Sequence, residues 1–234
     1  MKVYFISGMG ADHRVFKYLQ LPEGYEPSYI QWIPPLKKES LRDYAYRLTQ
    51  QIETTQPFVI AGVSLGGMLA VEIAKRITPV STILISSVPV STHLPKYYRL
   101  AGALGLGKLI PATLLKSAAI LKHSLMMYPA EKRRLMRQVI WSSDDRFIRW
   151  ALNAVLEWDN KDIPSPLFHI HGTRDETLPG AMTTPTHIVQ KGGHMLLVSR
   201  PETVNQFLRD VLPPIQTARD PMHHSLQAPP YHPL

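Results

Sequence analysis

Pro57-Phe58-Val59-Ile60-Ala61, then Gly62-Val63-Ser64-Leu65-Gly66, then Gly67-Met68-Leu69-Ala70-Val71-Glu72-Ile73-Ala74-Lys75-Arg76 is the stretch on which the fold turns. The first five residues are an apolar run bounded by proline, which reads as a buried strand. The last ten carry a helical pattern. Between them, Gly62-x-Ser64-x-Gly66 reads as a sharp strand-to-helix turn, in which glycines fit where the chain bends back and the serine hydroxyl stands clear of the sheet. Ser64 is therefore the first candidate nucleophile. The competing reading is an ordinary glycine-containing connection with an incidental serine, because a bare GxSxG string recurs by chance.

Outward from the turn, strand and helix patterns alternate. Lys2 to Ile6, Tyr25 to Ile33 and Thr82 to Ser86 read as further strands, and Asp12 to Leu19, Leu41 to Ile52 and Gly67 to Ile77 as helices, with Asp12 as an N-cap. Strands apolar on both faces and separated by helices predict a parallel sheet covered on both sides. After Val88-Pro89 the pattern changes. Lys96 to Leu109, Ala112 to Met127, Ala130 to Ile140 and Asp145 to Trp158 all carry helical periodicity. Strands return at Pro166 to His171 and Thr186 to Gln190, followed by a helix at Glu202 to Leu212. The chain thus leaves its sheet for a helical excursion of roughly 70 residues, long for a loop and of a size that is usually functional. The expected organisation is a core of residues 1–88 and 161–212, a helical insertion at 89–160 and a proline-rich tail at 213–234.

The chain has 234 residues, a net charge of +8 and no cysteine. That length suits one core with an inserted subdomain, and the missing cysteines exclude disulfides and fit the cytoplasm. No apolar run approaches the roughly 20 residues that span a bilayer, so no membrane span is expected. Nor is nucleic acid an expected partner: the cations form no single tract with interleaved aromatics. From Pro89 to Asn160 there are eleven Lys and Arg against five Asp and Glu, so the surplus belongs to the insertion. Its plain reading is the solvated face of helices; the other is steering of an anionic substrate. Oligomeric state is not legible.

A serine hydroxyl is too weak to attack a carbonyl unaided and needs a base. Of ten histidines, His194 in Lys191-Gly192-Gly193-His194 has the best context, just beyond the last strand on a loop that glycines let fold over the sheet edge. Asp175, in Gly172-Thr173-Arg174-Asp175, follows the preceding strand and can orient it. All three residues follow strands, and in an open parallel sheet the C-terminal strand ends share the edge where ligands bind. His169 and His171 alternate on one strand and could suggest a metal pair, but no further ligand at suitable spacing accompanies them, and no metal is expected.

The GxSxG turn, the Gly-Thr-Arg-Asp segment, the Gly-Gly-His loop and the order Ser, Asp, His together resemble the α/β-hydrolase superfamily, over roughly residues 1 to 212. The resemblance implies a serine hydrolase that cleaves a carboxylic ester or thioester of a small acyl substrate without a cofactor, with Ser64, Asp175 and His194 catalytic. It favours Asp175 over Glu176 as the acid. It also implies an oxyanion hole from the backbone amides of Leu65 and of Met9, in the loop Ser7-Gly8-Met9-Gly10. Two features depart from the pattern: Ser7-Gly8 stands where many relatives have His-Gly, and the antiparallel strands that usually open the fold are missing, leaving about six parallel strands. The helical insertion resembles a cap. The same fold also serves acyltransferases, lyases, carbon–carbon hydrolases and non-catalytic small-molecule receptors, so the resemblance leaves the reaction open.

Overall fold

A computed structural model describes residues 1–105, 110–125 and 128–212. The proline-rich tail at 213–234 and the ends of two helices expected in the insertion lie outside the described residues.

Six strands form one sheet: β1 (Lys2–Ile6), β2 (Glu26–Tyr29), β3 (Phe58–Val63), β4 (Ser81–Ile85), β5 (Leu167–Gly172) and β6 (His187–Val189). Their order is β2-β1-β3-β4-β5-β6, and every pairing is parallel. All residues of β3 are buried, as expected of a central strand covered on both faces. Alternation along β1 divides the core in two. Tyr4 and Ile6 join Leu41, Tyr44, Leu69 and Phe147 on one side, while Val3 and Phe5 join Phe16, Val59, Phe207 and Leu208 on the other.

The flanking helices are α1 (Leu41–Leu48), α2 (Leu65–Ala74), α3 (Lys96–Ala103), α4 (Ala112–Leu125), α5 (Ala130–Ser142), α6 (Asp145–Leu156), α7 (Leu196–Ser199) and α8 (Pro201–Val211). Side-chain caps start two of them: Ser40 accepts from the Asp43 amide ahead of α1, and Asp144 from the Phe147 amide ahead of α6. Helices α3 to α6 all lie between β4 and β5, where the excursion was expected.

Several expected elements end early, two of them by half or more. The helix at Asp12 to Leu19 is one 3-10 turn, His13–Phe16, capped by Asp12. Asn205 of α8 takes the Tyr18 carbonyl and the Gln20 amide, which diverts the backbone from continued helix. The second strand ends at Tyr29, because beyond it side chains replace the ladder: Gln51 binds both the amide and the carbonyl of Gln31, and the Tyr44 hydroxyl accepts from the Ile33 amide.

The chain steps from β1 outward to β2 and then back across to β3, so the sheet changes direction between β1 and β3. Ile6 lies opposite Gly62 at the C-terminal ends of these two strands. Ligand crevices in open α/β sheets form at such a point.

Candidate active site

Ser64 stands between β3 and α2 with φ 54° and ψ −121°, a conformation that L-residues rarely adopt. Its surroundings hold it there. The Ser64 amide donates to the Ile85 carbonyl of β4 at 3.1 Å, and Ser87 Oγ donates to the Ser64 carbonyl at 2.6 Å. The turn also needs its glycines. A Cβ on Gly62 would run into the backbone of Gly66 and Gly67, and one on Gly66 would run into the carbonyls of Ile6 and Ser7. That second contact seats the start of α2 against the end of β1, which brings the loop after β1 beside the serine. Gly8 accordingly lies against Ser64 and Val63.

His194 Nε2 is 3.0 Å from Ser64 Oγ, and His194 Nδ1 is 2.8 Å from Asp175 Oδ2. Residues 130 and 19 positions from His194 thus meet it because each ends a strand on the same sheet edge. Gly172 and Gly192 explain how the two loops approach: a Cβ on Gly172 would clash with the Gly192 backbone. The Asp175 side chain is fully buried. Its Oδ1 accepts from the amides of Thr177 and Leu178, both at 2.9 Å, and its Oδ2 faces His171 Nε2 at 3.1 Å as well as His194. Burial alone would raise its pKa, but the hydrogen bonds from His171, His194 and the Leu178 amide outweigh burial and hold the carboxyl well below the usual range. Asp175 is therefore an ionised acceptor set against a histidine that reaches a serine hydroxyl. Such a line can draw a proton from the hydroxyl and stabilise the imidazolium that results.

Ser64 and His194 open onto a cavity of about 250 Å³ that is also lined by Met9, Arg174, Met136 and Ile140. Glu176, the other acidic candidate, lines this cavity, while Asp175 makes the contact to His194. Leu65 is the first residue of α2, where an N–H has no acceptor within the helix, and Met9 lies on the cavity wall. A second cavity of about 420 Å³, walled by Trp32, Pro34, Arg146 and Phe147, shares Gly10 and Ala11 with the first.

Three features were missed in sequence. Ser87 supports the turn from the end of β4, and nothing local marks a serine for that role. The short helix α7 begins two residues after His194, with Leu196, Leu197 and Val198 buried, and the apolar run was its only signal. His171 and His169, whose spacing suggests a metal pair, hydrogen-bond to each other at 2.9 Å and lead to Asp175. Among the described residues no group of three or more His, Asp or Glu side chains is placed to hold a metal ion. No described helix is long and apolar enough to cross a membrane.

The profile of the alpha/beta hydrolase family matches residues 4–207. The chain belongs to that family. Similar solved structures include an esterase from Thermogutta terrifontis, 19% identical over 91% of this chain and 89% of its own, with a TM-score of 0.65. MenH from S. aureus is 17% identical over 91% and 93%, with a TM-score of 0.70. The esterase EaEST from Exiguobacterium antarcticum is 14% identical over 90% and 91%, with a TM-score of 0.66. No curated protein matches the sequence. At such identities the likeness is one of fold, and within this family the chemistry has to be argued from the site itself.

Proposed function

We propose that the protein is a serine hydrolase that cleaves a carboxylic ester or thioester through an acyl-enzyme, with Ser64 as nucleophile, His194 as base and Asp175 as its orienting acid. The observation that carries this reading is the continuous line from Ser64 Oγ through His194 to a buried, fully hydrogen-bonded Asp175, at a strained turn opening on a cavity. The esterases among the structural neighbours agree with it.

In this mechanism His194 Nε2 takes the Ser64 proton as Oγ attacks the acyl carbonyl. The Leu65 and Met9 amides hold the oxyanion. Collapse expels the alcohol or thiol, protonated by His194, and leaves the acyl group on Ser64. Water then gives its proton to His194 and attacks the ester, which releases the acid and returns the proton to Ser64. Asp175 stays ionised throughout, and no cofactor is needed.

Residues 89–160 act as a cap on the core formed by 1–88 and 161–212. Support comes from Ala119 of α4 and from Met136 and Ile140 of α5, which line the Ser64 cavity. The apolar wall suits a medium-sized acyl chain, and Arg174 with the cationic insertion suits an anionic leaving portion. A panel of acyl esters and thioesters, neutral and anionic, tests both parts. Turnover abolished by Ser64→Ala is expected, with anionic substrates favoured at low salt. No hydrolysis of any member would oppose the reading, and equal, salt-insensitive rates would remove the steering role.

A further inference from the structure

Behind Asp175 lies a buried pair of histidines that the mechanism above does not use. His169 and His171 alternate along β5, each 1% exposed, with rings edge to face. His171 Nε2 faces two acceptors, the Leu178 carbonyl at 2.7 Å and Asp175 Oδ2 at 3.1 Å. Two oxygens there require the proton on Nε2, so in neutral His171 the other nitrogen, Nδ1, is bare and must accept. Its partner is His169 Nε2 at 2.9 Å, which therefore donates. His169 Nδ1 is then left without a proton, and it is a buried atom with no hydrogen-bond partner, as a bare nitrogen permits. One arrangement of two protons satisfies the neutral pair: His169 donates to His171, and His171 donates to Asp175 and Leu178. Burial, and next the neighbouring His171, push the His169 pKa down to about 3 against the opposing pull of the Ser87 backbone and Asp175, which agrees with the neutral form.

We infer that His171, its Nε2 proton fixed by the two oxygens and its Nδ1 held by the His169 donor, is a positioning residue for Asp175: it shares Oδ2 with His194, ties the carboxylate to the Leu178 carbonyl and so sets how firmly Asp175 holds the imidazolium. The inference rests on the hydrolase reading and adds a residue to it. No proton has to pass along the histidine pair, because His171 acts as a fixed donor. Other titratable groups near the histidine pair and Asp175 are His93 from the turn after β4 and Tyr98 of α3, while Arg174 and Glu176 on the Asp175 loop line the Ser64 cavity. Tyr98 donates to the Thr177 carbonyl and His93 Nδ1 meets the Thr183 hydroxyl, whereas His171 reaches Asp175 Oδ2 itself.

Loss of the His171 donor leaves Asp175 Oδ2 to His194 alone, while Oδ1 keeps the Thr177 and Leu178 amides. Two changes are expected in His171→Phe. With a p-nitrophenyl acyl ester followed from about pH 5 to about pH 9, kcat falls about ten- to a hundredfold with KM within about twofold. The acid limb of kcat/KM also moves upward, by about half to one pH unit. His171→Gln, whose amide can take the place of Nε2–H, restores most of the rate and the wild-type limb. A packing role would move neither the limb nor the ratio of kcat to KM. Should His171→Phe fail to fold, as judged by melting, His169→Phe decides: with the Nδ1 donor removed and the His171 ring held less firmly, kcat drops about two- to tenfold and the limb moves the same way. Serine-directed labelling keeps the two claims apart. If the wild type labels and turns over while both phenylalanine variants keep its kcat and limb, the positioning role is overturned and the hydrolase reading stands. If the wild type neither labels nor turns over, both fall.

Discussion

Ser64 carries a positive φ that a serine tolerates only because hydrogen bonds from β4 and Ser87 fix its backbone on both sides. Its partners are fixed as tightly, and the role proposed for each can be tested by substitution. Asp175→Asn would present an amide to His194 and favour the wrong tautomer, so kcat is expected to fall about 10⁴-fold with the melting curve little changed. At Met9 the proposed donor is the main chain. Met9→Ala should therefore keep kcat within a few fold, whereas Met9→Pro, which lacks the N–H, should lose about 100- to 1,000-fold; steady-state kinetics on folded variants would check this. At this scale the motif residues were legible because their chemistry is tied to local pattern: glycines around a serine, glycines before a histidine. Ser87 and His171 were not, since each acquires its role from a neighbour on another strand or loop.

The elements place these residues by close backbone approach. α2 begins hard against the end of β1, and Gly66 is what permits it. Gly66→Ala should force the two apart, costing at least about 1–3 kcal/mol of stability in urea unfolding and more in activity than Ser87→Ala does. The outer end of α2 is tied to the end of the insertion. Trp158 Nε1 donates to the buried Glu72 at 2.8 Å, Lys75 pairs with Glu72 at 2.6 Å, and Lys75 also reaches Asn160. Trp158→Phe removes one donor from a buried carboxylate and should destabilise by about 1–3 kcal/mol in the same assay. Strands and most helices were legible from periodicity alone. The helix expected at Asp12 to Leu19 was cut to one turn by Asn205 of α8, a competitor 185 residues from Gln20 that no local window contains.

For the whole molecule, buried groups that resist protonation set an acid limit. The His169 pKa lies near 3 in the folded chain against an ordinary 6.5, so between these values the unfolded chain binds a proton that the folded chain does not. Stability therefore rises with pH across that window, by at most about 1.4 kcal/mol per unit, and is lost on acidification. Below 3.8 the depressed Asp175 adds a loss of the same sign. His169→Phe is expected to flatten the difference in urea midpoint between about pH 7 and about pH 4.5, and an undiminished slope would place the acid limit elsewhere. The parallel sheet, its six strands and its helical insertion were all readable from the alternation of apolar runs with helical patterns. The shape and lining of the cavity were not, because they depend on where α4 and α5 pack over the strand ends.

The proposed mechanism turns on one hydroxyl, and its reactivity can be measured directly. The folded chain is treated with a fluorophosphonate, and the modified peptide is located by mass spectrometry in the wild type, Ser64→Ala and His194→Ala. The account predicts stoichiometric modification of Ser64, none in Ser64→Ala and a rate reduced by about 10³-fold or more in His194→Ala. A well-folded wild type left unmodified, or modified on another residue, would contradict it.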